Sequence, residues 1–109
     1  MKTFKLLNNL RVFQRAHMPY LQTLEDYDIV CEVGTAQEAG RPFFAKHLVE
    51  DRLGAPATIT RRLNRLVKLG IVTRVRDYED GRMASLRLPA DVLKAYGKLA
   101  KVIAQRENN

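Results

Sequence analysis

Residues 55–87 read APATITRRLNRLVKLGIVTRVRDYEDGRMASLR, and this stretch decides the fold. Its first part predicts a basic amphipathic helix that stops at Gly70. IVTRVR (71–76) then predicts a strand, DYEDG (77–81) a turn and MASLRL (83–88) a return strand. A basic helix followed directly by a hairpin restricts the fold more than any other segment of the chain.

The helix predicted from Pro56 to Leu69 has two unlike faces. At about 100° per residue, one face collects Ile59, Leu63, Leu66 and Val67. The other face broadly carries Ala57, Thr58, Arg61, Asn64, Arg65 and Lys68, with Thr60 and Arg62 on its flanks. We expect the apolar face to pack on the protein and the basic face to meet a partner.

A helix is also predicted from Thr23 to about Ala39. Thr23-Leu-Glu-Asp26 is similar to a capping box, and acids in a first turn favour a helix start. Leu24 and Cys31 are predicted to lie on its apolar side, with Cys31 in the core.

The next predicted helix starts near Pro42 and stops at Gly54. Its predicted buried residues are Phe43, Phe44, Leu48, Val49 and Leu53. Only Gly54 and Ala55 then separate it from Pro56. Two helices joined by so short a connection must cross steeply, as in a helix-turn-helix.

The distribution of charge indicates a polyanionic partner. The 109 residues include 19 Lys and Arg and 12 Asp and Glu, which gives a net charge of +7. Residues 17–40 carry five acids and no Lys or Arg, whereas residues 55–76 carry six bases and no acid. A block of one sign that coincides with a helix and the next strand favours nucleic-acid binding over a merely basic surface.

The sequence predicts no enzyme, no cofactor and no metal site. His17 and His47 are far apart, with no acid or cysteine at ligand spacing, and no phosphate-binding glycine loop is present. The single cysteine, Cys31, excludes an internal disulfide. Because no run of ~18 apolar residues and no signal-peptide pattern occurs, we expect a cytoplasmic protein without a membrane span. No residue pattern indicates a small-molecule effector.

Residues 54–89 resemble the MarR (multiple antibiotic resistance regulator) family of transcriptional regulators. The recognition helix of that family typically carries a Ser-Thr-Val-Thr-Arg core, a leucine pair and Lys-Gly before a hydrophobic strand. ATITR (57–61) and KLGIV (68–72) stand in those places. Asp80-Gly-Arg82 matches the Asp-x-Arg signature of the family's wing. Small phage or plasmid regulators with winged-helix domains carry a similar segment.

This sequence departs from the family pattern in three places. Pro89 replaces a threonine after the second strand, and the turn before the basic helix is about one residue shorter. One helix, where the family usually has two, is predicted after the wing. The resemblance implies a mainly α-helical fold with a small β-wing: a winged helix-turn-helix of order α-α-α-α-β-β-α, with helices flanking it at both ends.

The predicted DNA-binding residues are Ala57, Thr58, Thr60, Arg61, Arg62, Arg65, Lys68 and Arg82. Arg61 and Arg65 can each make two hydrogen bonds to guanine, and the threonines can bind a phosphate at the helix start. Arg62 and Lys68 are predicted to contact phosphates. Arg82, at the wing tip, suits a narrow minor groove.

Internal roles for some of these cations stay open. Arg65 can instead be an intramolecular partner of Asp77 or Asp80. Arg74 and Arg76 can be edge-strand cations that discourage aggregation.

The terminal helices indicate a second copy of the chain. Residues 1–22 and 90–109 carry more apolar surface than the central winged-helix domain, residues 23–89, should need to bury. Two copies packed through these helices would align two recognition helices on one DNA duplex. The alternative, in which both helices fold back on their own core, stays open.

The sequence therefore predicts a homodimeric regulator, a repressor, that binds double-stranded DNA at an operator. The competing interpretation is a winged helix that serves protein–protein interaction as an adaptor module, without specific DNA binding.

Overall fold

The computed structural model describes residues 2–76 and 84–107, with side chains through Ala104. The described elements are α1 (Thr3–His17), α2 (Leu24–Glu38), α3 (Ala45–Glu50), α4 (Pro56–Lys68), β1 (Thr73–Arg76), β2 (Ala84–Arg87) and α5 (Ala90–Glu107). Their order confirms the predicted succession of four helices, two strands and a last helix. Among these helices none is both long and apolar enough to cross a membrane.

Internal contacts divide the chain into two compact units. The terminal unit consists of both chain ends, up to Leu21 and from Ala90 onward, and contains α1 and α5. The central unit is Gln22–Pro89 and contains the other five elements. In the terminal unit α1 packs against α5, and Met18 and Leu99 are buried.

The start of α2 is fixed by a capping box. The backbone N–H of Asp26 donates to Thr23 Oγ1 at 3.3 Å, and the N–H of Thr23 donates to Asp26 Oδ2 at 3.1 Å. These two bonds satisfy donors that the first turn of a helix otherwise leaves free. The helix then buries Ile29, Val30 and Val33 in the core of the central unit.

The predicted apolar side of α2 is wrong at two positions. Leu24 is 70% exposed, and Cys31 is exposed as well. The buried line of the helix runs through Ile29, Val33 and Ala36 at spacings of four and three residues. Leu24 and Cys31 lie off that line, so their side chains face outward.

α3 is shorter than predicted, because its expected first turn is extended backbone. Phe44 has φ −113° and ψ 156° and forms an antiparallel bridge with Ser85 of β2. The N–H of Leu86 donates to the carbonyl of Phe43 at 2.7 Å. Phe43 is therefore buried through a strand contact and not through a helix face. Val49, which is also predicted to be buried, is 37% exposed.

The connection from α3 to α4 was also predicted wrongly, since it comprises residues 51–55 instead of two residues. Arg52 within it has φ 54°, in the left-handed region that glycine prefers. An early helix end and a non-glycine residue in this conformation are not visible in the pattern of apolar residues.

α4 has the predicted bounds to within one residue. Pro56 occupies the first turn, and Ile59, Leu63 and Leu66 form the buried face. Gly70, with φ 77°, reverses the chain after the helix. The N–H groups of Ile71 and Val72 then both donate to the carbonyl of Leu66, at 2.9 and 3.3 Å.

The two strands form an antiparallel pair in which Thr73 lies opposite Arg87 and Arg76 lies opposite Ala84. The exit from β2 is held by Gln37 of α2. The N–H of Leu88 donates to Gln37 Oε1 at 2.7 Å, and Gln37 Nε2 donates to the carbonyl of Leu88 at 3.2 Å. This pair of bonds fixes the sheet to the helical core of the central unit.

Candidate nucleic-acid interface

The outer face of α4 forms a stripe of exposed side chains, which we call the α4 face. It consists of Ala57, Thr60, Arg61, Asn64 and Lys68. These positions recur at spacings of three and four residues, so they lie along one side of the helix. The helix contains no acid, so the two charged residues of this face, Arg61 and Lys68, make it net positive.

Arg61 and Lys68 provide the outward charges of the α4 face. Both side chains are exposed, as predicted. Within the described residues neither takes part in an ion pair, since both ion pairs there end on Asp26. Their cationic groups can therefore reach an anion outside the protein without breaking an internal salt bridge.

Arg62 lies differently from its neighbour Arg61. Its Nε donates to Asp26 Oδ1 at 2.8 Å, and its Nη2 donates to Asp26 Oδ2. Asp26 is fully buried, and the Arg62 side chain is only 17% exposed. This bidentate ion pair connects the middle of α4 to the start of α2. Because Asp26 holds the Arg62 guanidinium, the pair argues against the predicted phosphate contact of Arg62.

Hydrogen bonds and the charge of Arg62 stabilise the Asp26 carboxylate in its ionised form. Burial by itself raises the pKa of this carboxyl group. The hydrogen bonds from Arg62 and from the backbone N–H groups of Gln22 and Thr23, with the charge of Arg62, outweigh that effect and leave the pKa below its ordinary value. Asp26 is thus an ionised group that connects α2 to α4. The sequence pattern indicates Asp26 only as part of a helix start.

Arg65 also turns toward Asp26. Its Nη1 lies 3.6 Å from Asp26 Oδ2, and its side chain is 27% exposed. An internal partner for Arg65 was one of the alternatives that the sequence left open, but Asp77 and Asp80, the acids considered, lie outside the described residues. The proximity to Asp26 makes Arg65 a weaker candidate for base contact than Arg61.

The first turn of α4 can accept an anion. No side chain caps this helix, and Pro56 occupies its first position. The backbone N–H groups of Ala57 and Thr58 therefore receive no hydrogen-bond acceptor from a capping side chain. Ala57 and Thr60 are exposed, whereas Thr58 is half-buried. Of the two threonines predicted to bind phosphate, Thr60 is therefore the more accessible.

Asn64 is predicted to lie on the exposed side of the helix but is not among the predicted binding residues. Arg74 of β1 donates from Nη2 to Asn64 Oδ1 at 2.7 Å, so the strand next to the helix contacts the α4 face directly. No signal in the spacing of residues could have linked positions 64 and 74. The contact depends on how Gly70 directs the chain from α4 into β1.

The predicted wing tip, with Asp80, Gly81 and Arg82, lies outside the described residues. The minor-groove contact of Arg82 therefore stays a prediction.

Both histidines contact residues close to them in the sequence. His47 Nδ1 accepts the N–H of Phe44 at 3.0 Å at the start of α3. The ring of His17 lies against that of Phe13, with 4.3 Å between centroids. Among the described residues no group of three or more His, Cys, Asp or Glu could hold a metal ion.

Solved structures similar to this one are bacterial transcriptional regulators. The Staphylococcus aureus MepR–DNA complex superposes with a TM-score of 0.73 at 12% identity, over 98% of this chain and 78% of that one. MarR gives 0.59 at 21% identity, over 97% and 75%. A transcriptional regulator of Thermotoga maritima gives 0.61 at 22% identity, over 97% and 70%. The chain has the MarR-like winged-helix fold.

Within this winged-helix fold, α3 and α4 form the helix-turn-helix. β1 and β2 are the described part of the wing. No family model matches the sequence. No curated protein matches it either.

Proposed function

We propose that this protein is a transcriptional regulator that binds double-stranded DNA. One observation carries the proposal. The recognition helix presents a continuous exposed face with Arg61, Asn64 and Lys68, no acid, and only small side chains, Ala57 and Thr60, toward its N-terminus. Small residues let the helix start approach a duplex closely, and the longer polar residues can reach base edges and phosphates in the major groove.

The contacts divide by chemistry. Arg61 is proposed to read guanine through two hydrogen bonds. Lys68 contacts a phosphate from the side of the helix, and Thr60, with the N–H groups of the first turn, binds a phosphate at its start. Arg82 is proposed to enter the minor groove next to the major groove that α4 contacts. Arg62 is left out of this set because Asp26 holds it.

The protein is further proposed to act as a homodimer that represses by occupying an operator. Large apolar side chains are exposed in the terminal unit: Phe4 is 85% exposed, Val12 54% and Leu7 49%. A second copy packed on these side chains would remove them from water. Light scattering should give twice the chain mass, and Phe4→Lys with Leu7→Lys should return the mass to that of one chain. A monomeric wild type would exclude the dimer.

Selection of bound sites from a random duplex pool tests DNA binding directly. The wild type should enrich one motif, and Arg61→Ala should weaken binding to that site by about 1–3 kcal/mol, with a smaller loss on random duplex. Arg41→Ala, which removes the same charge outside the proposed contact set, is the matched control. Equal losses on both duplexes for Arg61→Ala would show that this arginine does not read a base.

The salt dependence separates this proposal from a protein-interaction module. A DNA-binding winged helix loses affinity steeply with salt, and Lys68→Ala should lower the slope of log K against log salt by about 1. Arg82→Glu should weaken binding to every sequence and flatten the slope as well. A wild type retained on neither heparin nor random duplex would favour the adaptor interpretation.

A further inference from the structure

The contact between Arg74 and Asn64 points to a residue pair that sets base preference. Asn64 lies on the α4 face, three residues after Arg61 and four before Lys68, so it is flanked on both sides by residues proposed to contact DNA. Its side chain is exposed and its Oδ1 accepts a hydrogen bond from Arg74 Nη2 at 2.7 Å.

The backbone after α4 brings Arg74 to this position. Gly70 reverses the chain with φ 77°, and two N–H groups then bond to the carbonyl of Leu66. β1 is paired residue by residue with β2, with Arg74 opposite Leu86, which is buried. The origin of the Arg74 side chain is therefore fixed relative to α4, and its guanidinium reaches back to Asn64.

The chemistry of this bond fixes which end of the amide faces outward. An asparagine amide carries an acceptor oxygen and a donor NH₂ of nearly equal size, and the group can reverse them by rotation. A guanidinium offers donors only. Arg74 therefore holds the oxygen toward β1, and the NH₂ group is left to point away from the strand, toward a ligand on the α4 face.

We propose that Asn64 reads a base in the major groove and that Arg74 is a positioning residue that sets its polarity. This inference rests on the proposed DNA binding. An outward NH₂ donor can bond N7 of guanine or adenine and O4 of thymine, but it meets another donor at N4 of cytosine. At the base that faces Asn64, cytosine is selected against, and purines with their accessible N7 are preferred.

Three variants test the pair by selection from a random duplex pool. Asn64→Ala should relax one position in each half-site by about fivefold to a hundredfold and leave the others unchanged. Arg74→Met removes the donors but keeps the unbranched apolar stem of the side chain. The freed amide can then rotate, and cytosine should be admitted at that same position. Asn64→Asp, an acceptor alone, should reverse the preference toward cytosine.

Arg76→Met is the matched control, because Arg76 lies two residues along β1, on the same side of the strand, and carries the same charge. It should weaken binding on all sequences without changing the preferred base. The positioning role would be overturned if Arg74→Met still selected against cytosine at this position. It would also be overturned if Arg76→Met admitted cytosine equally.

A measurement on the free protein separates this inference from the proposed function. In ¹H–¹⁵N spectra without DNA, Arg74→Met should shift the side-chain NH₂ signals of Asn64, and Arg76→Met should leave them in place. Unshifted signals overturn the Arg74–Asn64 bond whatever the protein binds. Shifted signals with no enriched motif in the wild-type pool would refute the DNA-binding function, and base reading by Asn64 with it, while leaving the bond itself established.

Discussion

Removing the carboxylate of Asp26 should lower the free energy of unfolding far more than the loss of an ordinary helix cap does. Asp26→Ala deprives two backbone N–H groups, those of Gln22 and Thr23, of their acceptor at 2.9 and 3.1 Å. It also leaves the guanidinium of Arg62, 17% exposed, without its charged partner. Loss of one partner of a buried ion pair costs about 3–5 kcal/mol, and a lost cap costs about 1 kcal/mol.

Arg62 keeps some access to water and a weak contact at 3.5 Å to Gln22 Oε1, so the lower end of the range applies. We expect Asp26→Ala to lower the free energy of unfolding by about 3 kcal/mol. Arg62→Met should cost about 2–3 kcal/mol, because the buried carboxylate then keeps only its backbone donors and Arg65, whose Nη1 lies 3.6 Å from Oδ2. The double variant should cost clearly less than the sum, since neither charge remains unpaired.

Urea unfolding followed by circular dichroism measures all three variants. The double-mutant cycle gives the coupling energy between Asp26 and Arg62, expected at about 1.5–3 kcal/mol. Additive losses, or a loss below about 1 kcal/mol for Asp26→Ala, would refute the reasoning that this pair anchors α4 to α2.

The Asp26–Arg62 pair also predicts how the stability of the protein falls at acidic pH. The folded-state pKa of Asp26 is lowered, so its contribution is complete above the unfolded-state value of about 4 and is lost as the pH falls through the folded value. The wild type should therefore lose stability on acidification below about pH 4, and Asp26→Asn should show a shallower loss. If the wild type and Asp26→Asn lost stability equally on acidification, the result would contradict the ion pair.

Three further predictions concern single positions in the central unit, each measured as a change in Tm. Burial and the neighbouring Asp51 raise the pKa of Glu32, so its contribution to stability is lost as the pH rises through that value, and Glu32→Gln should raise Tm at pH 7 but not at pH 3. Gly70→Ala should destabilise by about 1 kcal/mol, since an added Cβ meets open space and only the φ of 77° opposes it; an unchanged Tm would argue against that backbone conformation. Arg52→Gly should stabilise by up to about 1 kcal/mol because it relieves a φ of 54°; a fall in Tm would show that the arginine side chain contributes more than its backbone costs.

Local signals in the sequence predict the start of α2 and the end of α4, whereas Pro42 and Gly54 do not mark the ends of α3, which is Ala45–Glu50. Thr23 and Asp26 form the capping box that their spacing indicates, and Gly70 follows the end of α4 where the pattern stops. The start of α3 was misjudged because Phe43 and Phe44 suit a buried helix face and an edge strand equally well. The choice between them is made by the partner β2, which lies about 40 residues later in the chain.

The candidate site shows the same limit at the level of side chains. A helical wheel places Arg61 on the exposed face of α4 and Arg62 on its flank, but it does not show that Asp26 of a different helix holds Arg62. The wheel reports the direction of each residue from the helix axis. It contains nothing about acids or arginines that approach from other elements.

The polar residues of α4 therefore divide by where their partners lie. Arg62 and Arg65 turn toward Asp26 inside the protein, and Asn64 is oriented by Arg74. Arg61 and Lys68 take part in no ion pair of the described chain, and for them an external anion adds an interaction without removing an internal one. This difference ranks the cations of one helix by their expected gain on binding DNA, and net charge alone cannot provide that ranking. It follows that Arg61→Ala should cost more affinity than stability, whereas Arg62→Met should cost more stability than affinity for DNA measured on the folded protein.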